Sequence, residues 1–241
     1  VAPSRGLGDV YKRQAPKIAK KLQHCGEKVS EKFIGNLMHE LGLCSIIRKK
    51  YTWHPKKQKI EERENIIDRD FSTKSINQKW ATDITYIHTL HDGWLYLSSI
   101  LDLHTKKIIS WNLSLNMTNE LVLKTLNRAI IKYKPSNLIV HTDLGSQYTS
   151  NEFESRLKKL KIKHSFSHKG CPYDNAGIES FHATLKKEDV YPQKDKYKDF
   201  KSARIQLFKY IEGFYNSRRI HGALNFITPN EAERRALSGS I

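Results

Sequence analysis

The chain has 241 residues, enough for one substantial core and a small appendage, and its 38% hydrophobic and 10% aromatic content is that of a folded protein, which excludes disorder throughout. Its 42 Lys and Arg against 25 Asp and Glu give a net charge of +17 and a sequence pI of about 9.7, so the expected partner is a polyanion. An anionic membrane would attract the same charge, but no apolar run approaches the ~20 residues of a spanning helix and no signal-peptide core follows Val1, so a cytoplasmic protein with no membrane partner is expected.

The charge is spread along the chain, with net +8 over residues 1–76 and +9 over 77–241, so both parts are expected to face the polyanion. Cys25, Cys44 and Cys171 are an odd, widely spaced set that suits a reducing compartment. His24, Cys25, His39 and Cys44 lack the paired spacing of a structural zinc site, and adjacent His24 and Cys25 cannot readily face one ion, so no zinc is assigned.

Residues 1–14 show neither helical nor strand period and are set apart as non-native or disordered sequence. Residues 15–47 read as a helix-turn-helix DNA-binding segment. Ile18, Ala19 and Leu22 share a face before a stop at Gly26, and Ser30 caps a second helix with Ile34, Leu37, Met38 and Leu41 in register before Gly42. A helical hairpin that merely packs on a neighbour explains the same pattern. Residues 48–76 form a basic linker; its first part, from Arg48 through Lys49 and Lys50 to Lys59, carries six cations and no acid, interleaved with Tyr51 and Trp53, which suits a nucleic-acid-tracking arm.

From Asn77 the period changes to two. Thr82, Ile84 and Tyr86 alternate with Asp83, Thr85 and Ile87, and the apolar runs 94–101 and 108–113 come next, giving three antiparallel strands. Asn119–Tyr133 is an amphipathic helix stopped by Pro135, and Leu138–Val140 is a buried strand delivering Asp143. Thr149 and Glu152 form a capping box for a helix carrying Phe153, Leu157 and Leu160, before a fifth strand near 162–167. Ile178, Phe181 and Leu185 make the buried stripe of the next helix, whose other face carries Glu179, His182, Ala183 and Lys186. A longer helix runs from Phe200 to Phe214, and Thr228, Pro229 and Glu231 open the last one. The core is expected over 77–235, with a tail at 236–241, as an α/β fold in the order βββαβαβα.

Asp83 and Asp143 on two strands and Glu179 near a helix start, with 35 residues between it and Asp143, would gather three carboxylates. At ~6 Å each pair repels by roughly 3 kcal/mol at an effective dielectric near 20, so such a cluster calls for cations. Two Mg²⁺ ions would supply that charge and equip the site to break and join phosphodiesters in line. Asp102, before the turn LHTKK, and Asp174, where a helix N-cap is wanted, have structural explanations instead.

The strings NQKWATDITYI, HTDLGSQYTS, KGCPYDNAGIESFHATLKKE and FYNSRRIHGALNFITPNEA resemble the catalytic protein of insertion sequences of the IS-three type, a DDE transposase with an integrase catalytic core, from about residue 15 to the C-terminus. The resemblance implies an RNase H-like mixed five-stranded sheet flanked by helices, Mg²⁺-dependent DNA cleavage and strand transfer with Mn²⁺ as a substitute, and catalytic, metal-holding roles for Asp83, Asp143 and Glu179. It further implies DNA contacts by Lys186 and Lys187 beside the site and by Arg219 and His221 in YNSRRIH, with Asn175, His182 and Asn216 in support, and no chemistry for Cys171. Its other implications are double-stranded DNA as element ends and target, further copies of the chain, an upstream-frame transposase protein, and a bacterial, nucleoid-associated location. Two rivals stay open: a ribonuclease H or resolvase-type nuclease on the same carboxylates, and a DNA-binding repressor without chemistry.

Overall fold

A computed structural model describes residues 15–43, 63–168 and 170–239. Residues 1–14, Cys44 and the basic arm with Arg48, Lys49 and Lys50 lie outside the described residues. Ala15–His24 forms helix α1 and Glu31–Glu40 forms α2. Ser30 caps α2 by accepting the Phe33 N–H at 3.1 Å, and Gly26 takes the left-handed φ of +90° that ends α1. Ala19, Ile34 and Met38 are buried with Ile18, Leu22 and Val29 around them. The expected α2 stripe is only half enclosed: Leu37 and Leu41 are exposed, because two helices of 10 residues each share one line of contact.

The larger unit is built on β1 (Lys79–His88), β2 (Trp94–Asp102), β3 (Ile108–Ser114), β4 (Ile139–Thr142) and β5 (Lys163–Phe166), in the spatial order β3-β2-β1-β4-β5. The first three strands pair antiparallel, while β4 pairs parallel to both β1 and β5. Parallel pairing requires a crossover, supplied by α3 (Asn119–Tyr133) before β4 and α4 (Asn151–Lys159) before β5. These two helices cover one face, where Trp80, Ile100 and Val140 meet Val122, Leu126, Phe153 and Leu157. The other face, with Ala81, Leu95, Leu97 and Leu101, is covered by α5 (Ala176–Leu185) and α6 (Phe200–Tyr210) through Ile178, Phe181, Leu185 and Leu207. A last helix, α7 (Pro229–Ser238), starts on Thr228, whose hydroxyl accepts the Glu231 N–H, with Pro229 in the first turn.

Three local features depart from the sequence expectations. Ser150 rather than Thr149 caps α4, since its Oγ is the one in reach of the Phe153 N–H. The run from Phe200 to Phe214 is α-helical only to Tyr210 and then widens into a π-turn at Ile211–Tyr215, closed by the Asn216 N–H on the Ile211 carbonyl at 2.9 Å. A second π-turn, Lys186–Val190, continues α5, closed by the Tyr191 N–H on the Lys186 carbonyl at 3.0 Å. Each π-turn widens the helix by one residue and so rotates the chain beyond it, a device common beside functional sites.

Candidate active site

Strand register brings the two aspartates together. Lys79 lies opposite Ile139 and Ala81 opposite His141, so two further residues along the same register set Asp83 level with Asp143, just past the end of β4. The Ile84 N–H donates to Asp83 Oδ1 at 2.7 Å, and the Gly145 N–H donates to Asp143 Oδ1 at 3.0 Å. A Cβ on Gly145 would stand 2.9 Å from that same Oδ1, so the turn after β4 needs a residue without one to hold Asp143 in this way.

Glu179 is in the first turn of α5, which crosses β1 and β2. The N-terminus of that helix is tied down by Asp174, whose side chain is wholly buried. Asp174 Oδ1 accepts from Arg69 Nε at 2.7 Å, and its Oδ2 accepts from the His168 N–H at 3.0 Å and from Asn65 Nδ2 at 3.2 Å. Although burial opposes its charge, the Arg69 and His168 hydrogen bonds hold its carboxyl down at about 2. Asp174 is therefore structural as expected, by tying residues 65 and 69 to α5 rather than by capping; the cap position belongs to Asn175, which makes no capping bond. Asp102 is likewise structural, accepting the Thr105 and Asn77 backbone N–H groups.

The three expected carboxylates share one electrostatic environment. Asp143 is pushed up to about 6, by burial first and by Asp83 second, against the Gly145 hydrogen bond that favours its charged form. Glu179 is raised too, by burial, then by Asp83 and Asp143. Among the described residues no three His, Cys, Asp or Glu side chains converge closely enough to hold one ion, so the tight cluster expected from the sequence is an open one, with Asp83 and Asp143 each turned to a backbone donor. The negative charge that helps to raise Asp143 and Glu179 lacks counter-charge, and this set of hard oxygen donors fits a divalent cation.

The remaining expected residues divide sharply. His182 lies on the buried side of α5 rather than on its open face: it shares a 2.7 Å hydrogen bond with Ser99 Oγ through Nε2, and its Nδ1 stands 3.4 Å from Asp83 Oδ2. Ser99, which no sequence motif singles out, is the cross-strand partner of Asp83. Lys186 is half-buried beside the carboxylates; burial lowers its pKa while Asp83 raises it, and Lys187 is exposed. Arg219 and His221, expected to contact DNA, are both largely enclosed. The Arg219 guanidinium, its side chain 13% exposed, clasps Glu188 through Nε and Nη2 at 2.9–3.1 Å. His221 is held neutral, pushed down to about 3 by burial and then by Arg219, with its Nε2 buried and unpartnered. Asn216 braces the outer strand, its side chain donating to the Ile108 carbonyl and accepting the Ile108 N–H, both at 3.0 Å. Asn175 is buried, with its Oδ1 unpartnered.

Known proteins of this architecture share the same regions. Profiles of the integrase core domain match residues 74–172 and 160–229. The transposase for insertion sequence element IS904 of Lactococcus lactis is 38% identical over 222 residues, covering 91% of this chain and 87% of the relative. Transposase InsF for insertion sequence IS3A of Escherichia coli is 34% identical over 226 residues, covering 93% and 77%. Among solved structures, the simian T-cell lymphotropic virus intasome in complex with PP2A regulatory subunit B56 gamma superposes with a TM-score of 0.55 at 19% identity, over 90% of this chain and 74% of that one. The HTLV-2 integrase catalytic core with magnesium gives 0.52 at 16%, over 67% and 99%. These two likenesses carry the fold, an RNase H-like mixed sheet flanked by helices. Likeness to transposases over nine-tenths of its length, with an integrase core domain on the sheet that carries Asp83 and Asp143, makes this chain a member of the insertion-sequence transposase family.

Proposed function

We propose that this transposase cuts and joins DNA at Asp83, Asp143 and Glu179. The observation that carries the reading is the register of β1 and β4, which sets two aspartates level at the mouth of the sheet with the first turn of α5 beside them. The three carboxylates would hold two Mg²⁺ ions, with Mn²⁺ able to substitute, and the chemistry such ions would supply is a lowered pKa for an attacking hydroxyl and stabilisation of the leaving oxygen. The Gly145 N–H and the Ser99–His182 pair keep the two aspartates oriented. Lys186 carries the positive charge next to Asp83 that a scissile phosphate needs to approach three acids.

The substrates on this reading are duplex element ends and target DNA, met by further copies of the chain and by an upstream-frame transposase segment that supplies end specificity, in the cytoplasm at the nucleoid. The net charge of +17 supports a polyanionic substrate. Among the described residues no helix is long and apolar enough to cross a membrane. Likeness to transposases over most of the chain favours this reading over a ribonuclease H or a repressor.

Labelled duplex carrying the element ends, incubated with Mg²⁺, tests the assignment. Asp83→Asn, Asp143→Asn and Glu179→Gln each keep shape but remove a ligating oxygen, and each should abolish cleavage and joining with the circular dichroism spectrum unchanged. Near-normal cleavage by any one folded variant removes that residue from the site.

A further inference from the structure

Beyond Asp83 the β1–β2 hairpin runs on past its last pairing with β4, and a groove of about 890 Å³ opens beside it. Its lining joins Tyr86, His88, Trp94 and Tyr96 of the hairpin to Lys186 and Lys194, and includes no acidic residue. Trp94 is 57% and Tyr86 46% exposed, large apolar surfaces to leave in water. The rings meet edge-to-face: Tyr86 on Trp94 at 87°, Tyr86 on Tyr96 at 69° and His88 on Trp94 at 80°. None of these contacts is a parallel stack: each sets the edge of one ring against the face of another, and Trp94 and Tyr86 still keep about half of their surface in water.

We infer that this groove holds an unpaired nucleobase of the DNA strand, stacked on Trp94 and Tyr86, with Lys186 and Lys194 on the flanking phosphates. The inference rests on the reading of Asp83, Asp143 and Glu179 as the active site, and names what lies next to it. Lys186 joins the two, since it feels the charge of Asp83 and also lines the groove. Tyr86 comes three residues after Asp83, about 10 Å along an extended strand. Aromatic faces interleaved with cations and free of acids are the surface that unpaired nucleic acid takes, because every base has a π-face and every linkage a negative charge. A base within a duplex has both faces covered by its neighbours, so a stacking site selects strands that are frayed or opened. The volume is that of a small-ligand pocket, enough for one or two bases.

Fluorescence anisotropy of the full chain in EDTA, with labelled oligothymidine, an abasic strand of equal length, and a blunt duplex, separates stacking from charge. Trp94→Ala should weaken oligothymidine binding by about tenfold and leave the abasic strand unaffected, while Trp94→Phe, which keeps a ring, restores most of the affinity. Equal weakening of the abasic strand, or unchanged oligothymidine affinity in the Trp94→Ala Tyr86→Ala double variant, overturns the inference. Unchanged affinity with loss of self-association in sedimentation would do so by assigning the groove to a second copy of the chain. Mg²⁺-dependent cleavage, and its loss in Asp143→Asn, is read separately, so an active wild type with a Trp94-insensitive strand affinity refutes the groove alone. A wild type inactive even when joined to the upstream-frame segment refutes the active-site reading and leaves the anisotropy result to judge the groove.

Discussion

Asp174→Asn is the substitution whose effect can be worked furthest from the structure. The carboxylate accepts from Arg69, Asn65 and His168 with no exposed surface of its own, and is held at about 2 against a usual value of 3.8. A difference of nearly two units corresponds to about 2.5 kcal/mol of stability at neutral pH, at ~1.4 kcal/mol per unit. Arg69 is more than half exposed, so water screens part of that pair, and about 1–2 kcal/mol is the expected loss. For a chain of this size that lowers the melting temperature by ~2–8 °C. The native pKa lies below the unfolded one, so the stabilisation is present above about pH 4 and is lost as the pH falls toward 2. Thermal unfolding followed by circular dichroism in EDTA should therefore show the gap between wild type and variant near neutral pH and its closure in that acid window. Wild type and variant melting together at neutral pH, or a gap that persists undiminished at pH ~2, would refute this assignment of stability to the Asp174 charge. Because Asp174 anchors the start of the helix that carries Glu179, the variant should also cleave more slowly without losing activity altogether.

DNA affinity should fall steeply with salt, with a log-log slope near −5 for ~6 phosphate contacts, and Lys186→Ala should reduce that slope by about 1; an affinity indifferent to salt would rule out a polyanionic substrate. Gly145 does not take a left-handed φ, so Gly145→Ala should fold normally, but its Cβ would meet Asp143 Oδ1 at 2.9 Å. Cleavage by that variant should drop by tenfold or more, on the order of what a displacement approaching 1 Å brings, with the melting temperature little changed; full activity would show that Asp143 does not depend on this turn. Arg219→Ala leaves the nearly enclosed Glu188 without its counter-charge, though the Tyr210 hydroxyl still donates to it at 2.8 Å, and should cost about 2–4 kcal/mol while leaving the salt slope alone. A stable Arg219→Ala variant with a shallower slope would return Arg219 to the DNA-facing surface.

The strands and most helices were legible because their periods are strong. Trp80, Ala81, Ile100 and Leu101 alternate between two cores, and Ile178, Phe181 and Leu185 repeat at helical spacing. What stayed hidden is what depends on the rotation of a side chain about its element. His182 stands three residues from Glu179 and shares a face with it by spacing, yet its ring turns inward to Ser99, a partner that only the hairpin register reveals. Arg219 and His221 were expected on the DNA from the string YNSRRIH, but after the π-turn at Ile211–Tyr215 the chain packs back on itself, and Glu188, in the π-turn at Lys186–Val190, becomes the counter-charge of Arg219. A π-turn has no distinct sequence signature, so neither its place nor the inward turn of these groups could be read from spacing. The aromatic groove was missed for a different reason: Tyr86 and Trp94 fit an ordinary strand alternation, and only the missing neighbour beyond the end of β4 leaves them in water.

That missing neighbour and the active site have a common origin. β4 stops at Thr142 while β1 continues to His88, so the sheet opens between Asp83 and Asp143. Inside the sheet each aspartate would be a buried charge without a partner; at the divergence each finds a backbone N–H and remains near water. Closing the two onto Glu179 would raise the mutual repulsion by roughly 3 kcal/mol for each pair brought to ~6 Å, and the protein's own donors are already engaged. The raised pKa values of Asp143 and Glu179 record that shortage of positive charge. On the proposed reading the site is completed from outside, by cations between the carboxylates and by a phosphate drawn toward Lys186. If the groove inference holds, the same strand divergence gives the adjoining stretch of that DNA strand a place to lie along the hairpin.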